Sequence, residues 1–283
     1  MLRLGTSSWS EKGWIGPFYP PGTKPGDFLS FYATRFDTVE ADTTYYRVPD
    51  RDLVRGWSIK VPERFRLAAK FPRSIVHCGE TEKPDATRVL CSDVAARDTE
   101  RFLETMAILG PKCGPLVLQF PYFNQSAFAG LRAFLDRLDP YLERLPKAFR
   151  YGVEVRNKSW ITPELTDVLR RHRVALVLVD LAYMPHPADL AASMDLVTAD
   201  FLYVRLIGDR KAVEEKTKTF DRVVLDQGAR LDRWAELIKT LSVRVPETSV
   251  YANNHYAGFA PATVRDLMRR LGVGDESDQR VSS

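Results

Sequence analysis

Eight short runs of β-forming residues recur along the chain, and each is followed by a stretch long enough to hold a helix. The runs cover residues 2–9, 38–46, 66–71, 116–121, 151–157, 175–180, 201–208 and 249–254. Alternating strands and helices favour a parallel sheet, and eight such units in about 250 residues are typical of a closed barrel. The sequence therefore predicts an α/β fold: a single (β/α)₈ TIM barrel over residues 1–272, with its pocket at the carboxyl ends of the strands, and a flexible C-terminal tail over residues 273–283.

Proline and capping residues mark the starts of several helices. Pro49 and Asp50 precede one helix, and Thr162 followed by Pro163 is typical of an N-cap and a first helical position. Apolar residues with helical spacing cover the ranges 86–109, 128–138, 231–241 and 261–271. Gly272 is predicted to end the last helix.

Two of the connections between strands and helices are long, 78–115 and 209–248. The second begins with a highly polar segment, 209–220. Loops at the carboxyl ends of barrel strands often cover the pocket, whereas mixed charge is also typical of a solvated loop. Both interpretations of this segment stand at the level of sequence.

The bulk composition excludes several classes of protein. The three cysteines, Cys78, Cys91 and Cys113, form no CxxC pair, so neither a disulfide framework nor a cysteine zinc site is predicted. The net charge of +4 and the pI near 8.9 are too mildly basic to indicate nucleic acid, but they are compatible with an anionic ligand. No apolar run reaches the roughly 18 residues of a membrane span, and no signal-type apolar segment is seen, so a cytoplasmic protein without a membrane partner is expected.

The fifth run shows most clearly which side chains should face the interior of the barrel. Val153 and Val155 share one face and suit packing under the helices, so Glu154 and Arg156 are expected to point into the lumen. The same reasoning gives a set of charged inward candidates: Glu40, Asp42, Lys70, Glu154, Arg156, Asp180 and Arg205. Further polar or aromatic candidates end the other runs: Trp9, Gln119, Asn253, Asn254 and His255. Because barrel enzymes carry their chemistry at this end, these side chains are predicted to share one pocket.

These charges suit two interpretations, a functional site or an ion-pair network within the lumen. A buried ion pair is rarely more stabilising than an apolar replacement, because desolvation can exceed the Coulomb gain. Stability alone is therefore a poor reason for seven lumenal charges, and partnered charges in a cleft are candidates for a site. The functional interpretation is favoured, with some of the charges acting as supports.

Several motifs, in order along the chain, carry a resemblance to a known family. They include Gly5-Thr6-Ser7-Ser8-Trp9, Ala69-Lys70-Phe71-Pro72, Val153-Glu154-Val155-Arg156-Asn157, Tyr203-Val204-Arg205-Leu206 and Tyr251-Ala252-Asn253-Asn254-His255. With these motifs the chain resembles, over nearly its whole length, the YecE-like family of uncharacterised TIM-barrel proteins (domain of unknown function 72). The resemblance implies a barrel similar in outline to the sugar isomerase and endonuclease IV group, with no established reaction. Family members commonly carry a histidine before the glycine after strand seven, where this chain has Ile207 and Gly208, and this departure weakens a mechanism that uses a histidine there.

The predicted pocket suits acid–base chemistry on an anionic ligand. Glu40 and Glu154 are candidates for a base and an acid, and Lys70 is the third catalytic candidate. Lys70, Arg156 and Arg205 suit a phosphate or carboxylate. The other ligand-binding candidates are Trp9, Asp42, Tyr45, His77, Gln119, Asp180, Asn253, Asn254 and His255. Five aromatic residues suit either stacking on a ligand or plain packing: Trp9, Trp14, Tyr45, Tyr46 and Trp160.

No cofactor is predicted. The four histidines are scattered, which disfavours a multinuclear zinc site, and no phosphate-cradling glycine loop or dinucleotide fingerprint is found. A single Mg²⁺ or Mn²⁺ held by Glu40, Glu154 or Asp180 is an alternative, although Lys70 and two arginines already neutralise the acids.

Two functional hypotheses follow. The first is an enzyme, a hydrolase, lyase or isomerase, that acts on a small phosphate- or carboxylate-bearing ligand of sugar-like or phosphodiester type. The alternative is a nucleic-acid or nucleotide-binding barrel, related in outline to endonuclease IV and without catalysis. Its weak support is a basic cluster in the last helix, Arg265, Arg269 and Arg270.

Overall fold

The computed structural model describes residues 1–79, 81 and 83–273. Within these residues, eight parallel strands lie in the order β1-β8-β7-β6-β5-β4-β3-β2 and form a nearly closed barrel, which confirms the predicted fold. The strands are β1 (Leu2–Thr6), β2 (Thr38–Ala41), β3 (Arg66–Lys70), β4 (Cys113–Gln119), β5 (Tyr151–Glu154), β6 (Ala175–Leu181), β7 (Phe201–Gly208) and β8 (Glu247–Ala252).

Helices follow the strands and pack around the barrel. In the described residues they are α1 (Phe28–Tyr32), α2 (Arg51–Lys60), α3 (Arg73–Val76), α4 (Asp93–Met106), α5 (Leu131–Arg144), α6 (Pro163–His172), α7 (Pro187–Ala191), α8 (Arg210–Glu214), α9 (Gly228–Ser242), α10 (Asn254–Ala257) and α11 (Ala260–Leu271). Gly272 adopts φ 71° and ends α11, as predicted, because glycine tolerates the left-handed conformation.

Some predicted boundaries are wrong by several residues. The strand predicted over 38–46 stops at Ala41, because Asp42–Tyr45 forms a 3₁₀ turn. The Thr44 side chain in this turn bonds to the end of β3 where the backbone ladder stops. Its hydroxyl accepts from the Lys70 amide at 2.9 Å and donates to the Lys70 carbonyl oxygen at 2.8 Å. The helix predicted from residue 86 begins only at Asp93, where Ser92 caps it by accepting from the Ala95 amide.

The barrel closes at a seam between β1 and β2. Among the described residues no backbone ladder joins these two strands. The hydroxyl of Tyr32 lies between them, accepting from the Thr6 amide at 2.8 Å and donating to the Thr38 carbonyl oxygen at 3.1 Å. Gly5 allows the close approach, since a Cβ atom there would lie 2.0 Å from the Thr38 carbonyl oxygen. A side chain on α1 thus takes the place of the missing ladder.

Side chains alternate between two apolar layers. Those that point outward from the strands form the large core beneath the helices. Those that point inward fill the lower lumen: Ala68, Val117, Ala175, Val177, Phe201, Tyr203 and Tyr251. The barrel is therefore packed at its centre, and room for polar groups remains at its ends.

The expected tail begins at residue 273 and, from residue 274 onward, lies outside the described residues. In the part of the chain that the structure describes, no helix combines the length and the apolar character needed to cross a membrane.

Candidate active site at the carboxyl end of the barrel

Four charged residues on four strands point into the lumen as predicted. Glu40, Lys70, Glu154 and Arg205 are each at most 5% exposed. Their strand neighbours, such as Val153 beside Glu154, belong to the outer core. Burying one face of each strand under helices thus fixes the polar face toward the barrel axis.

Arg205 is the centre of the site and joins two carboxylates. Its Nη2 donates to Glu40 Oε1 at 2.8 Å, and its Nη1 donates to Glu154 Oε2 at 2.5 Å. Nη1 also donates to Gln119 Oε1 at 2.8 Å, while Nε has no partner among the described residues. The Tyr203 hydroxyl donates to the other oxygen of Glu40 at 2.7 Å. The guanidinium therefore holds both acids in fixed positions.

Lys70 lies on the β3 side of the same cluster. Its ammonium forms a close ion pair with Asp42 Oδ1 and lies 3.8 Å from Glu40 Oε1. It also lies over the ring of Tyr45, with Nζ 6.0 Å from the ring centroid. The predicted neighbourhood of Glu40, Asp42 and Lys70 is thus present.

Arg156 lies at the mouth of the lumen and is the most accessible cation of the cluster. Its Nε donates to Glu154 Oε1 at 3.0 Å. Its side chain is 26% exposed, against 2% for Arg205. Among the described residues no acceptor is paired with its two terminal nitrogens. Arg156 therefore keeps two donors directed to no protein group.

The cations determine the protonation of the acids. Burial alone would raise the pKa of Glu154, but Arg205 and Arg156 outweigh it and lower the pKa to about 2. Burial also opposes ionisation of Asp42, and Lys70 outweighs it, so the pKa of Asp42 is lowered. Glu154 is therefore an ionised carboxylate at neutral pH and cannot donate a proton, which argues against the acid role considered for it.

Asp180 does not point into the lumen, and this part of the sequence prediction is wrong. It has the same strand parity as Leu176 and Leu178, which belong to the outer core. Its carboxylate lies beneath α9, where it accepts from Arg230 Nε at 2.9 Å and from Trp234 Nε1 at 2.6 Å. Asp180 therefore cannot share a metal ion with Glu40 and Glu154.

The aromatic candidates differ in burial. Trp160 is 5% exposed and stacks on Phe134 at 4.8 Å in the outer core, so it forms no wall of the lumen. Trp9 is half-buried and meets Trp57 edge to face at 5.4 Å. Tyr45 is half-buried, and Tyr46 is 69% exposed beside it. Trp9, Tyr45 and Tyr46 thus remain candidates for contacts with a ligand.

A cavity of about 190 Å³ lies at the carboxyl ends of β8 and β1. We call it the side compartment, and its lining includes Ser7, Glu11, Trp14, Asp42, Asn253, Asn254 and His255. Trp14 is 1% exposed and donates from its indole Nε1 to Asn254 Oδ1 at 3.2 Å. Asp42 belongs both to this lining and to the ion pair with Lys70, so the side compartment adjoins the charged lumen.

The polar segment after β7 packs over the side compartment. Phe220 lines the compartment and meets the His255 ring edge to face at 4.9 Å. His255 Nε2 lies 3.1 Å from Glu214 Oε1 of α8, and its Nδ1 lies 2.9 Å from Asn253 Oδ1. The backbone amide of Val224 donates to the Ala257 carbonyl oxygen at 2.7 Å. The segment thus covers this side of the barrel mouth.

Comparison with known proteins adds the family. The family described as "Protein of unknown function DUF72" matches residues 3–282. The chain belongs to the DUF72 family. This DUF72 protein is 32% identical to the UPF0759 protein YecE of Escherichia coli K12 over 160 residues, which is 56% of this chain and 50% of YecE, so the match spans about half the length of that curated relative.

Solved structures give the same family and fold. A DUF72 family protein from Thermotoga maritima MSB8 is 25% identical, with all of both chains covered and a TM-score of 0.69. A second DUF72 protein, from Enterococcus faecalis V583, is 24% identical over 97% of this chain and 96% of its own, with a TM-score of 0.70. D-psicose 3-epimerase from Clostridium cellulolyticum H10 shares 8% identity and the fold, with a TM-score of 0.50 over 99% of this chain and 98% of its own.

The departure after strand seven has a structural reason in this DUF72 protein. Ile207 packs against the apolar cluster of Val179, Leu181 and Met184. Gly208 adopts φ 79°, and a Cβ atom there would lie 2.6 Å from the His255 carbonyl oxygen. Ile207 is thus accommodated by apolar packing and carries no titrating side chain, whereas the glycine beside it is required by the close approach of α10.

His77 and the basic residues of α11 make contacts of other kinds. His77 is 5% exposed and accepts through Nδ1 from the Gly79 amide at 3.1 Å. In α11, Arg269 and Arg270 are paired with Asp266, and Arg265 lies over the ring of Phe18. Among residues 1–79, 81 and 83–273, no group of three or more His, Cys, Asp and Glu side chains is placed to hold a metal ion.

Sequence reasoning gave no ligand-binding role to several residues that line the side compartment, among them Ser7, Glu11 and Phe220. Ser7 lies within a quoted motif, but its residue type gives no signal of a special role. Glu11 and Phe220 come from loops, where no alternation pattern predicts the direction of a side chain.

Proposed function

We propose that the carboxyl-end mouth of the barrel is the active site of an enzyme that binds a small phosphate- or carboxylate-bearing substrate. The observation that carries this proposal is the hydrogen bonding of Arg156. Its Nε is anchored to the buried carboxylate of Glu154, which leaves its two terminal nitrogens at the mouth of the lumen. A preoriented guanidinium edge with two adjacent donors matches the paired oxygens of a phosphate or carboxylate.

Arg205 has a different role. Its terminal nitrogens already donate to Glu40, Glu154 and Gln119, and its side chain is 2% exposed. It therefore positions the carboxylates and does not contact the anion. Arg205 is a positioning residue, whereas the sequence suggested that it binds the ligand.

We assign proton transfer to Glu40 and Lys70. The two groups lie 3.8 Å apart and share the lumen beneath Arg156. An ammonium can donate a proton and a carboxylate can accept one, so this pair supplies both functions of an acid–base reaction. Glu154, with its pKa lowered to about 2, holds Arg156 in place and takes no part as an acid.

Binding of the anion is tested with inorganic phosphate as the probe. Titration followed by NMR or calorimetry is expected to show binding to the wild-type protein and at least tenfold weaker binding to Arg156→Gln. Arg132→Gln is the matched control, because Arg132 is 80% exposed on α5, outside the barrel lumen, and its loss should leave phosphate binding unchanged. Equal affinity of Arg156→Gln and wild type would contradict the assignment.

Catalysis is tested with a panel of phosphate monoesters and hydroxy acids. Once a turned-over compound is found, Glu40→Gln and Lys70→Met are each expected to lower kcat by about 100-fold or more, as is usual when a positioned acid or base is lost. Arg132→Gln again serves as the control, because it alters an exposed ion pair outside the barrel lumen. Full activity in both Glu40→Gln and Lys70→Met would leave the cluster as an ion-pair network only.

A further inference from the structure

The side compartment differs chemically from the charged lumen beside it. The lumen cluster contains three cations, Lys70, Arg156 and Arg205. The side compartment contains two carboxylates, Glu11 and Asp42, and no lysine or arginine in its lining. The carboxylates would repel an anionic group there. The charged lumen and the side compartment are therefore expected to bind different parts of one ligand.

We propose that the side compartment binds the hydroxyl groups of the substrate, so that the substrate class is a polyol or sugar chain that carries a phosphate or carboxylate. This inference rests on the proposed anion site at Arg156 and extends it. The lining offers donors and acceptors side by side, which a hydroxyl group satisfies because it both donates and accepts. A cation would use only the acceptors, and a phosphate would use only the donors.

The donors are the amide nitrogens of two asparagines. Asn253 Oδ1 accepts from the His255 amide at 2.9 Å, and Asn254 Oδ1 accepts from Trp14 Nε1 and from the Ala260 amide. These bonds fix both amide groups. The Nδ2 atoms have no acceptor among the described residues, so they remain available to a ligand.

The acceptors are the two carboxylates. Asp42 uses Oδ1 in its pair with Lys70, and Glu11 uses Oε1 to accept from the Gly13 amide at 3.3 Å. The second oxygen of each has no donor among the described residues. The lowered pKa of Asp42 keeps it in the accepting form.

Ser7 is the strongest single indication of a ligand. It lines the compartment, it is 2% exposed, and its hydroxyl has no hydrogen-bond partner among the described residues. A buried hydroxyl without a partner is destabilising, so such groups in native proteins usually meet water or a ligand. A substrate hydroxyl at this position supplies the missing bond.

The size and position of the compartment limit what it can hold. Its volume of about 190 Å³ is below the roughly 300–1,000 Å³ of pockets that enclose a whole ligand. It therefore receives one end of a substrate. Asp42 joins it to the cluster of Lys70 and Glu40, and the charge of Arg156 acts on Asp42, so the other end of the substrate is placed at the proposed anion site.

Two probes of matched length test the inference. Glycerol 3-phosphate has both a phosphate and hydroxyl groups, whereas propyl phosphate has the phosphate alone. We expect the wild-type protein to bind glycerol 3-phosphate at least tenfold more tightly than propyl phosphate. In Ser7→Ala this ratio should fall at least threefold, with the fold retained, because the change removes a hydroxyl that has no partner in the protein. Ser249→Ala is the matched control, since Ser249 is equally buried but does not line the compartment, and its ratio should equal that of the wild type.

A second readout separates this inference from the proposed anion site. Glycerol and erythritol, without phosphate, are titrated while the indole N–H signal of Trp14 is followed by NMR, with the signal assigned through Trp14→Phe. A shift that saturates in the wild type and weakens in Ser7→Ala supports the compartment, even if phosphate does not bind. Equal affinities for the two phosphate probes, with no saturable shift of Trp14, would overturn the compartment and leave the anion site intact. Failure of phosphate to bind would overturn only the anion site.

Discussion

The two ends of the barrel both contain arginines paired with acids, yet they differ in what lies beside the pairs. At the amino end, Arg3 on β1 donates to Glu247 at 3.2 Å and to Asp37 at 3.0 Å. Arg150 pairs with Glu247 at 2.8 Å, and its guanidinium covers the ring of Phe201. The arginines here fasten the starts of the strands to one another.

The carboxyl end has the same basic arrangement, a buried arginine that joins two acids, but it contains further groups. Arg205 is as buried as Arg3, with side-chain exposures of 2% and 5%, and each joins two acids. At the carboxyl end a further arginine, Arg156, keeps its two terminal nitrogens without acceptors among the described residues, and the side compartment adjoins the cluster. Ion pairing by itself therefore does not distinguish a site from a structural network. Unsatisfied groups that line a cavity beside the ion pairs, such as Ser7 in the side compartment, are the stronger indication of a site.

The largest expected effect is on stability at the carboxyl end. Arg205→Met leaves Glu40 and Glu154 buried without their common partner, and removal of one member of a buried ion pair typically costs about 3–5 kcal/mol. Urea unfolding monitored by circular dichroism measures the loss. Arg132→Met is the control. A decrease in the free energy of unfolding below about 1 kcal/mol for Arg205→Met would show that the cluster contributes little to stability.

The second prediction concerns acid pH. The pKa of Glu154 is 4.5 in the reference state and about 2 in the folded protein, so the unfolded chain takes up the proton first as the pH falls. Ionised Glu154 therefore stabilises the fold above pH 4.5, and this contribution of roughly 3 kcal/mol is lost as the pH falls toward 2.

Urea unfolding of the wild type and Glu154→Gln across this range measures the effect. The difference in free energy of unfolding should be greatest near neutral pH and should shrink below pH 4.5. A difference that stays constant with pH would mean that Glu154 keeps an ordinary pKa.

The third prediction applies to the amino end. Arg3→Met removes bonds to Asp37 and Glu247, which are 36% and 14% exposed, so water compensates part of the loss. We expect a cost of about 1.5–3 kcal/mol in urea unfolding, the usual range for hydrogen bonds to charged groups. Phosphate affinity should not change. If it falls, the two ends are coupled, and the contrast drawn between them is wrong.

The smallest expected effect is the one that matters most for function. Arg156→Gln removes one ion pair at a partly exposed position, so the free energy of unfolding should fall by less than about 1 kcal/mol. The same variant should bind phosphate at least tenfold more weakly. A large decrease in the free energy of unfolding would show that Arg156, like Arg205, is a structural residue. Calorimetric titration of the folded variant with phosphate separates a loss of affinity from a loss of stability.

Strand alternation predicted the lumen well for a definite reason. Glu40, Lys70, Glu154 and Arg205 are flanked by apolar residues that have to lie under the helices, so only one orientation of each strand is acceptable. The fold followed from the same signal, because the eight strand-like runs are separated by stretches of helical length. Their ends were less predictable, since the turn at Asp42–Tyr45 depends on bonds from Thr44 to a neighbouring strand.

Asp180 shows where the same reasoning fails. Its parity matches that of the outward residues Leu176 and Leu178, yet the prediction places it with the lumenal charges. In the structure, Arg230 and Trp234 donate to its carboxylate and offset the free-energy cost of burying it. Both residues lie about fifty positions later in the chain. Partners so distant in sequence leave no local signal. Ser7 likewise has no local signal in the sequence, because what singles it out is that its buried hydroxyl has no hydrogen-bond partner among the described residues.

The Tyr32 hydroxyl at the seam also bears on solubility. A fully laddered barrel has no sheet edges, whereas β1 and β2 are two edges that face each other and are held together through one phenol. Exposed strand edges pair with strands of other molecules and lead to aggregation. Tyr32→Phe, which removes only the oxygen, would leave the Thr6 amide and the Thr38 carbonyl without this bridge. We therefore expect loss of this single hydroxyl group to favour association between copies of the protein.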